Sequence, residues 1–313
     1  MDKQLLGRQF SGMGYALVFR RFSDPNLFLE VGDASVIYTA QEDPGYRYKD
    51  YIEDIVLGLE SHGCDVIPAF RYLRATNNKV FMEILRRELL PAKYHNDCLL
   101  CGCIEDLQTE AAKLWYPCVV KAAKGAGSRG VYLAKDQKSL IKVAKKVSST
   151  SQIRAQIKDI ARALKHPGYR RESQNRGKFI VQSYIPGLEN DWKVLVFHER
   201  YYVLRRRNRK GDFRASGSGL FSYDENVDLD LLESAREIYN CLQLPTLSLD
   251  LAKSGDKVFL IEMQFVYFGT STLEKSPYYY MKTNLGWQQV KTRSSLEEEY
   301  ARSVVGFLKR SDR

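Results

Sequence analysis

Apolar positions along the chain fall into two rhythms. Residues 15–19, 36–39 and 64–68 are short β-prone runs and predict strands, whereas residues 51–61 (YIEDIVLGLES) space their apolar side chains as a helix ending at His62-Gly63. Asn77-Asn78 offers a cap for a second helix, KVFMEILRREL, which Pro91 stops. Further strands are predicted at 118–123, 131–134, 179–184, 193–197 and 201–206. Two more, at 246–252 and 257–265, are joined by the turn signal Ser254-Gly255-Asp256. Helices are predicted at 136–147, 151–165, 228–241 and 296–309. An α/β stretch is thus followed by a mixed α+β one, without internal repeats.

Composition adds exclusions. The chain has 313 residues, 44% hydrophobic and 27% charged, which excludes a disordered, collagen-like or coiled-coil protein. No apolar run approaches the ~18 residues of a membrane span, and the first residues do not lead into a signal segment. With six cysteines, this predicts reduced thiols and a cytoplasmic location. The net charge of +10 is concentrated: residues 121–180 hold sixteen Lys and Arg against Asp136, Asp159 and Glu172. Such a block suits nucleic acid, an acidic lipid surface or nucleotide phosphates. It also suits a solvated helix face, because Ile153, Ile157, Ile160 and Leu164 recur at helical spacing while Arg154, Lys158, Arg162 and Lys165 lie elsewhere on the wheel.

Three segments carry candidate chemistry. In residues 116–134, Gly125, Gly127, Ser128 and Gly130 lie between two β-prone runs, with Lys121 entering and Lys124 at the edge. Glycine lets backbone N–H groups approach phosphate oxygens, so this reads as a lid over a triphosphate or as an ordinary mobile hairpin. Neither a Walker A loop nor a dinucleotide fingerprint fits, because a strand follows. In the second segment, Asp250 alternates with leucines, and Glu262 and Gln264 share one strand face. These oxygens suit Mg²⁺ completed by ligand phosphates, or a salt bridge to an arginine. The third segment, residues 202–219, runs from a strand into a cationic turn holding Arg206 and Arg214, which suits a phosphoryl group, a carboxylate or solvent.

In this order the segments resemble the ATP-grasp superfamily, nearest the ribosomal-protein glutamate ligase branch, with D-alanine–D-alanine ligase and glutathione synthetase more distant. The resemblance covers roughly residues 74–275 and includes the Asn78-Lys79 helix start, Phe179–Ile185 followed by Pro-Gly, Asp191-Trp-Lys193 and Gly211-Asp-Phe-Arg214. It implies an α+β ATP-grasp fold, two subdomains clamping ATP, behind a small α/β domain. The corresponding partition is 1–90, 91–180 with the glycine-rich lid, and 181–313 with the metal site. It further implies that Lys79 and Lys121 contact ATP phosphates under the 125–130 loop. Gln182 would read the adenine amino group, Ile185 would offer backbone to the ring, and Glu189 would bind ribose. Asp250, Glu262 and Gln264 would hold Mg²⁺, or Mn²⁺ in its place, while Arg206 and Arg214 hold the reacting groups.

The implied reaction is ATP-dependent carboxylate–amine ligation through an acyl phosphate, on small-molecule or peptide substrates. Gln264 and Gln182 stand where the family has Asn and an acid, and residues 265–270 depart from the usual acceptor-facing segment. A kinase of the same fold, or a non-catalytic nucleotide- or nucleic-acid-binding protein using the 121–180 block, are the competing readings. Cys98, Cys101 and Cys103 lack a companion cluster at metal-finger spacing and read as buried thiols. Tyr278–Tyr280 read as packing.

Overall fold

Asp2 starts the first helix. Its carboxylate accepts hydrogen bonds from the backbone N–H groups of Gln4 and Leu5 at 2.8 and 3.0 Å, capping α1 (Lys3–Gly12). Leu6 and Phe10 on its buried side pack against Ala301, Val304 and Val305 of the C-terminal helix. The computed structural model describes residues 1–32, 34–40, 45, 47–125, 130–150, 152–171 and 173–311. These divide into two compact units, one of residues 1–76, 89–94 and 187–313 and the other of residues 77–88 and 95–186.

The larger unit opens with α1, α2 (Leu27–Glu30), β1 (Val36–Ile37), α3 (Arg47–Ser61), β2 (Val66–Ile67) and α4 (Phe70–Ala75). β1 and β2 pair in parallel, and Ile52, Val56 and Leu59 of α3 close the small core over them. The strand expected at 15–19 does not form. Tyr15 and Leu17 pack instead, half-buried, beside α1 and the C-terminal helix, without a ladder.

The second unit holds α5 (Lys79–Leu89, its last residue excepted), β3 (Cys98–Cys101), α6 (Ile104–Glu110), β4 (Cys118–Ala122), β5 (Val131–Ala134), α7 (Gln137–Ser148), α8 (Ile153–Lys165) and β6 (Phe179–Ser183). Its sheet runs β3-β6-β4-β5, with every neighbouring pair antiparallel. Val120, Phe179 and Val181 on one face pack with Leu107 of α6 and with Leu140 and Ala144 of α7. The other face, by strand alternation, carries Lys121 and Gln182.

The chain then returns to the larger unit through β7 (Asn190–Phe197), β8 (Arg200–Arg207), β9 (Phe221–Ser222), α9 (Leu229–Leu242), β10 (Thr246–Ser254), β11 (Lys257–Gln264), α10 (Ser271–Lys275), β12 (Tyr279–Thr283), β13 (Gly286–Val290) and α11 (Leu296–Ser311). These strands form a sheet ordered β11-β10-β7-β8-β12-β13, with β9 on β8. The β12–β13 hairpin is unexpected from the sequence pattern. It buries Tyr279 and Tyr280, and Tyr278 just before it, so that run does pack.

Candidate active site

Two groups of expected site residues form, one on each unit. In the smaller unit, the backbone N–H of Lys79 donates to Ala123 O at 3.0 Å, fixing the start of α5 against the end of β4. The Lys79 ammonium donates to Gly125 O at 3.1 Å, and Lys121 sits centrally in the sheet between Ile180 and Val131. Both lysines are buried. Gly125 and Gly130 have φ of +128° and +81°, which glycine alone adopts readily, and Ala122 N–H donates to Gly130 O at 2.9 Å to close the hairpin base. Gly127 and Ser128 lie outside the described residues.

Gln182 lies in register with Cys98 on one side and Val119 on the other. Its amide Nε2 donates to Glu83 Oε1 at 2.8 Å. Glu83 is fully buried and pairs with Arg86 at 3.3 Å, also fully buried. A carboxylate only accepts, so this contact turns the Gln182 amide nitrogen toward α5 and its oxygen away from Glu83. Glu83 and Arg86 were missed in the sequence, although a Glu and an Arg three apart in a helix that buries one face are a legible sign of an internal pair. Ile185, half-buried, lies two residues past the end of β6.

In the larger unit, one face of four adjacent strands carries the acids. Asp250 on β10 pairs in register with Glu262 on β11 and with Lys193 on β7; Ser248 pairs with Gln264, and Asp191 on β7 with Arg206 on β8. Directly opposed cross-strand side chains lie about 5 Å apart at Cβ, so these groups meet without long reach. A β-bulge between Asp250 and Leu251 re-aims the strand beside the pair.

Arg206 grips Asp191 with two hydrogen bonds, at 2.6 and 2.8 Å, and reaches Asp250 Oδ2 at 2.9 Å. Burial pushes the Asp191 carboxyl up to about 6, against the pull of Arg206. Burial also opposes the charge on Arg206, but Asp250 and Asp191 outweigh it and hold the guanidinium protonated more firmly than usual. Lys193 Nζ donates to Gln264 Oε1 at 3.2 Å. The donor set of two carboxylates and an amide oxygen is all oxygen, the set Mg²⁺ takes when phosphates complete the shell, and it fits that ion. Asp191, Lys193 and Ser248 complete this face; the sequence marked Asp191 and Lys193 as part of the resemblance without giving them a role, and did not mark Ser248.

The other expected residues are less concentrated. Arg214 folds back on Asp212 through two hydrogen bonds of 2.9 Å and lowers the Asp212 carboxyl. Glu189 is exposed and belongs to the larger unit, whereas Gln182 and Ile185 belong to the smaller. Cys98 and Cys101 lie on β3, where burial pushes both thiols up to about 12, and Cys103 caps α6. Among the described residues no group of three or more His, Cys, Asp or Glu could hold a metal ion.

Residues 93–166 match the family described as carbamoyl-phosphate synthase L chain, ATP binding domain. No curated protein matches the chain. Among solved structures, D-cycloserine synthetase DcsG aligns with a TM-score of 0.56 at 14% identity, covering 98% of this chain and 94% of that one. D-alanine–D-alanine ligase from Bacillus anthracis aligns at 0.54 and 15%, covering 98% and 91%. A RimK domain ATP-grasp protein from Sphaerobacter thermophilus aligns at 0.51 and 15%, covering 86% and 88%. At these identities the likeness is one of fold, and it extends over nearly the whole chain: this protein has the ATP-grasp fold.

Proposed function

We propose that the protein is an ATP- and Mg²⁺-dependent carboxylate–amine ligase. The observation that carries this reading is the row of Asp250, Glu262 and Gln264 in register on one sheet face. The buried Lys79 and Lys121 at the glycine-flanked hairpin support it. In this reading Lys79 and Lys121 bind the ATP phosphates, Gln182 accepts from the adenine amino group, Ile185 backs the ring and Glu189 binds ribose. Asp250, Glu262 and Gln264 would hold Mg²⁺, which neutralises charge on the β- and γ-phosphates. Arg206 is committed to Asp191 and Asp250, so we assign it the positioning of Asp250 rather than substrate contact. Arg214 then holds the acid substrate and the phosphoryl group.

A substrate carboxylate oxygen attacks the γ-phosphorus, the bond to the β–γ bridging oxygen breaks, and ADP leaves. The amine nitrogen attacks the acyl carbon, phosphate departs with the electron pair of the acyl carbon–oxygen single bond, and the amine gives up a proton. The protein contributes position and opposite charge. Among the described residues no helix is long and apolar enough to cross a membrane.

The test is ADP release across pools of amino acids and other small acids, with hydroxylamine present to trap the acyl phosphate as a hydroxamate. Hydroxamate formation that Arg214→Ala reduces by about two orders of magnitude is the expected result. A stable phosphorylated product without hydroxamate would make the protein a kinase.

A further inference from the structure

Helix α8 contributes nothing to a core: none of its residues is buried. It rests on the half-buried Gln156, Asp159 and Ala163. Asp159, its one acid, accepts from Tyr169 OH at 2.8 Å and from Arg171 Nε at 3.1 Å. At about 100° per residue, Ile153, Ile157, Ile160 and Leu164 fall within an arc of roughly 60°. They are 77%, 62%, 43% and 84% exposed. Arg154, Lys158, Arg162 and Lys165 fill the adjoining arc and are all exposed. The neighbouring α7 is as basic, yet it buries Leu140, Ala144 and Ser148. The open stripe on α8 therefore does not follow from composition alone.

Four branched aliphatic side chains aligned in water mark a contact surface. We propose that α8 is a docking element for an anionic lipid bilayer, its apolar stripe entering the headgroup–acyl boundary and its basic arc lying on the lipid phosphates. Both arcs are then satisfied by one flat partner. A nucleic acid would engage the cations and leave the isoleucines in water. A second copy stacked stripe to stripe would bring two basic arcs together, and like charges oppose that. This assignment is independent of the ligase reading.

The test is flotation of the whole protein with phosphatidylcholine vesicles, with and without roughly 30 mol% phosphatidylglycerol. Binding is expected only to the anionic vesicles and should weaken with added salt. Ile157→Ser with Leu164→Ser should lower the partition coefficient on the order of tenfold. Lys158→Gln with Arg162→Gln should lower it about fivefold per charge. All four side chains are exposed, so melting temperatures should not move and the comparison stays one of binding. Failure to float with anionic vesicles overturns the proposal, and so does undiminished flotation of the serine variant. A dimer that the serine variant converts to monomer would assign the stripe to a second copy instead. Tight binding of random RNA without flotation would assign the basic arc to nucleic acid.

Discussion

Glu83→Gln tests how the chain chooses a base. The Gln182 amide donates to a buried carboxylate at 2.8 Å, so its oxygen faces away from Glu83. In the proposed reading, where Gln182 meets the base, this orientation would favour adenine, whose amino group donates, over guanine, whose carbonyl accepts. Rotating the amide would break a charge-assisted hydrogen bond worth about 1.5–3 kcal/mol, or about 10- to 150-fold in affinity. A glutamine at position 83 both donates and accepts, so the barrier to rotation largely disappears. The ATP-to-GTP affinity ratio should fall by about tenfold or more, through a gain for GTP. The same change leaves Arg86 beside a neutral group where both side chains are fully buried, and should destabilise the fold by about 3–5 kcal/mol. Urea unfolding measures that loss, and calorimetric titration with each nucleotide under folded conditions measures the ratio. Gln182→Met removes the amide and its hydrogen bond to Glu83 but keeps the Glu83–Arg86 ion pair, and should equalise the two nucleotides. A wild-type protein that binds ATP and GTP alike, or a Glu83→Gln variant with an unchanged ratio, refutes the reasoning.

Asp250→Asn and Glu262→Gln should each cut ADP formation about a hundredfold or more, with circular dichroism unchanged, and unaltered turnover in the double variant would leave these acids structural. Saturating Mg-ATP at about 100 times Kd should stabilise the wild type by about 2.7 kcal/mol, and Lys121→Ala should lose most of that shift in a melting curve. A Cβ at Gly306 would lie 2.8–2.9 Å from three ring atoms of His198. Gly306→Ala should therefore lower Tm, because overpacking of about 1–3 kcal/mol exceeds the ~1 kcal/mol gain in helix propensity, and should raise Tm in a His198→Ala background. Burial pushes the His198 imidazole down to about 4 from 6.5. The folded chain thus binds fewer protons than the unfolded one between those values. Stability should fall by up to about 3 kcal/mol as pH drops through that window, and urea unfolding of His198→Gln should lack the slope.

Local pattern made much of this legible. The β4–β5 hairpin, the β10–β11 pair with its Gly255 turn and the start of α5 follow from β-prone runs, a φ of +59° at Gly255 and a capping asparagine. The in-register acids were legible because alternation fixes which side chains share a strand face. Partnership across strands and across the chain was not. Cys98–Cys101 looked like a thiol cluster because four residues are too few to show a period, yet they form the edge strand beside β6. Likewise, nothing in the segment around Arg206 shows that Asp191 lies opposite it on β7. The 15–19 run had strand propensity but pairs with no strand among the described residues.

The nesting of the two units sets an order of assembly on the ribosome. Residues 77–88 and 95–186 can complete their sheet once β6 has emerged, while the larger unit still waits for everything beyond residue 187. Leu6 and Phe10 of α1 must wait longest, because their partners Ala301, Val304 and Val305 are made almost three hundred residues later. During synthesis the chain therefore carries α1 with Leu6 and Phe10 still unpacked, together with a finished unit that follows it. A nascent chain stalled before α11 should resist protease within residues 95–186 and yield to it at α1.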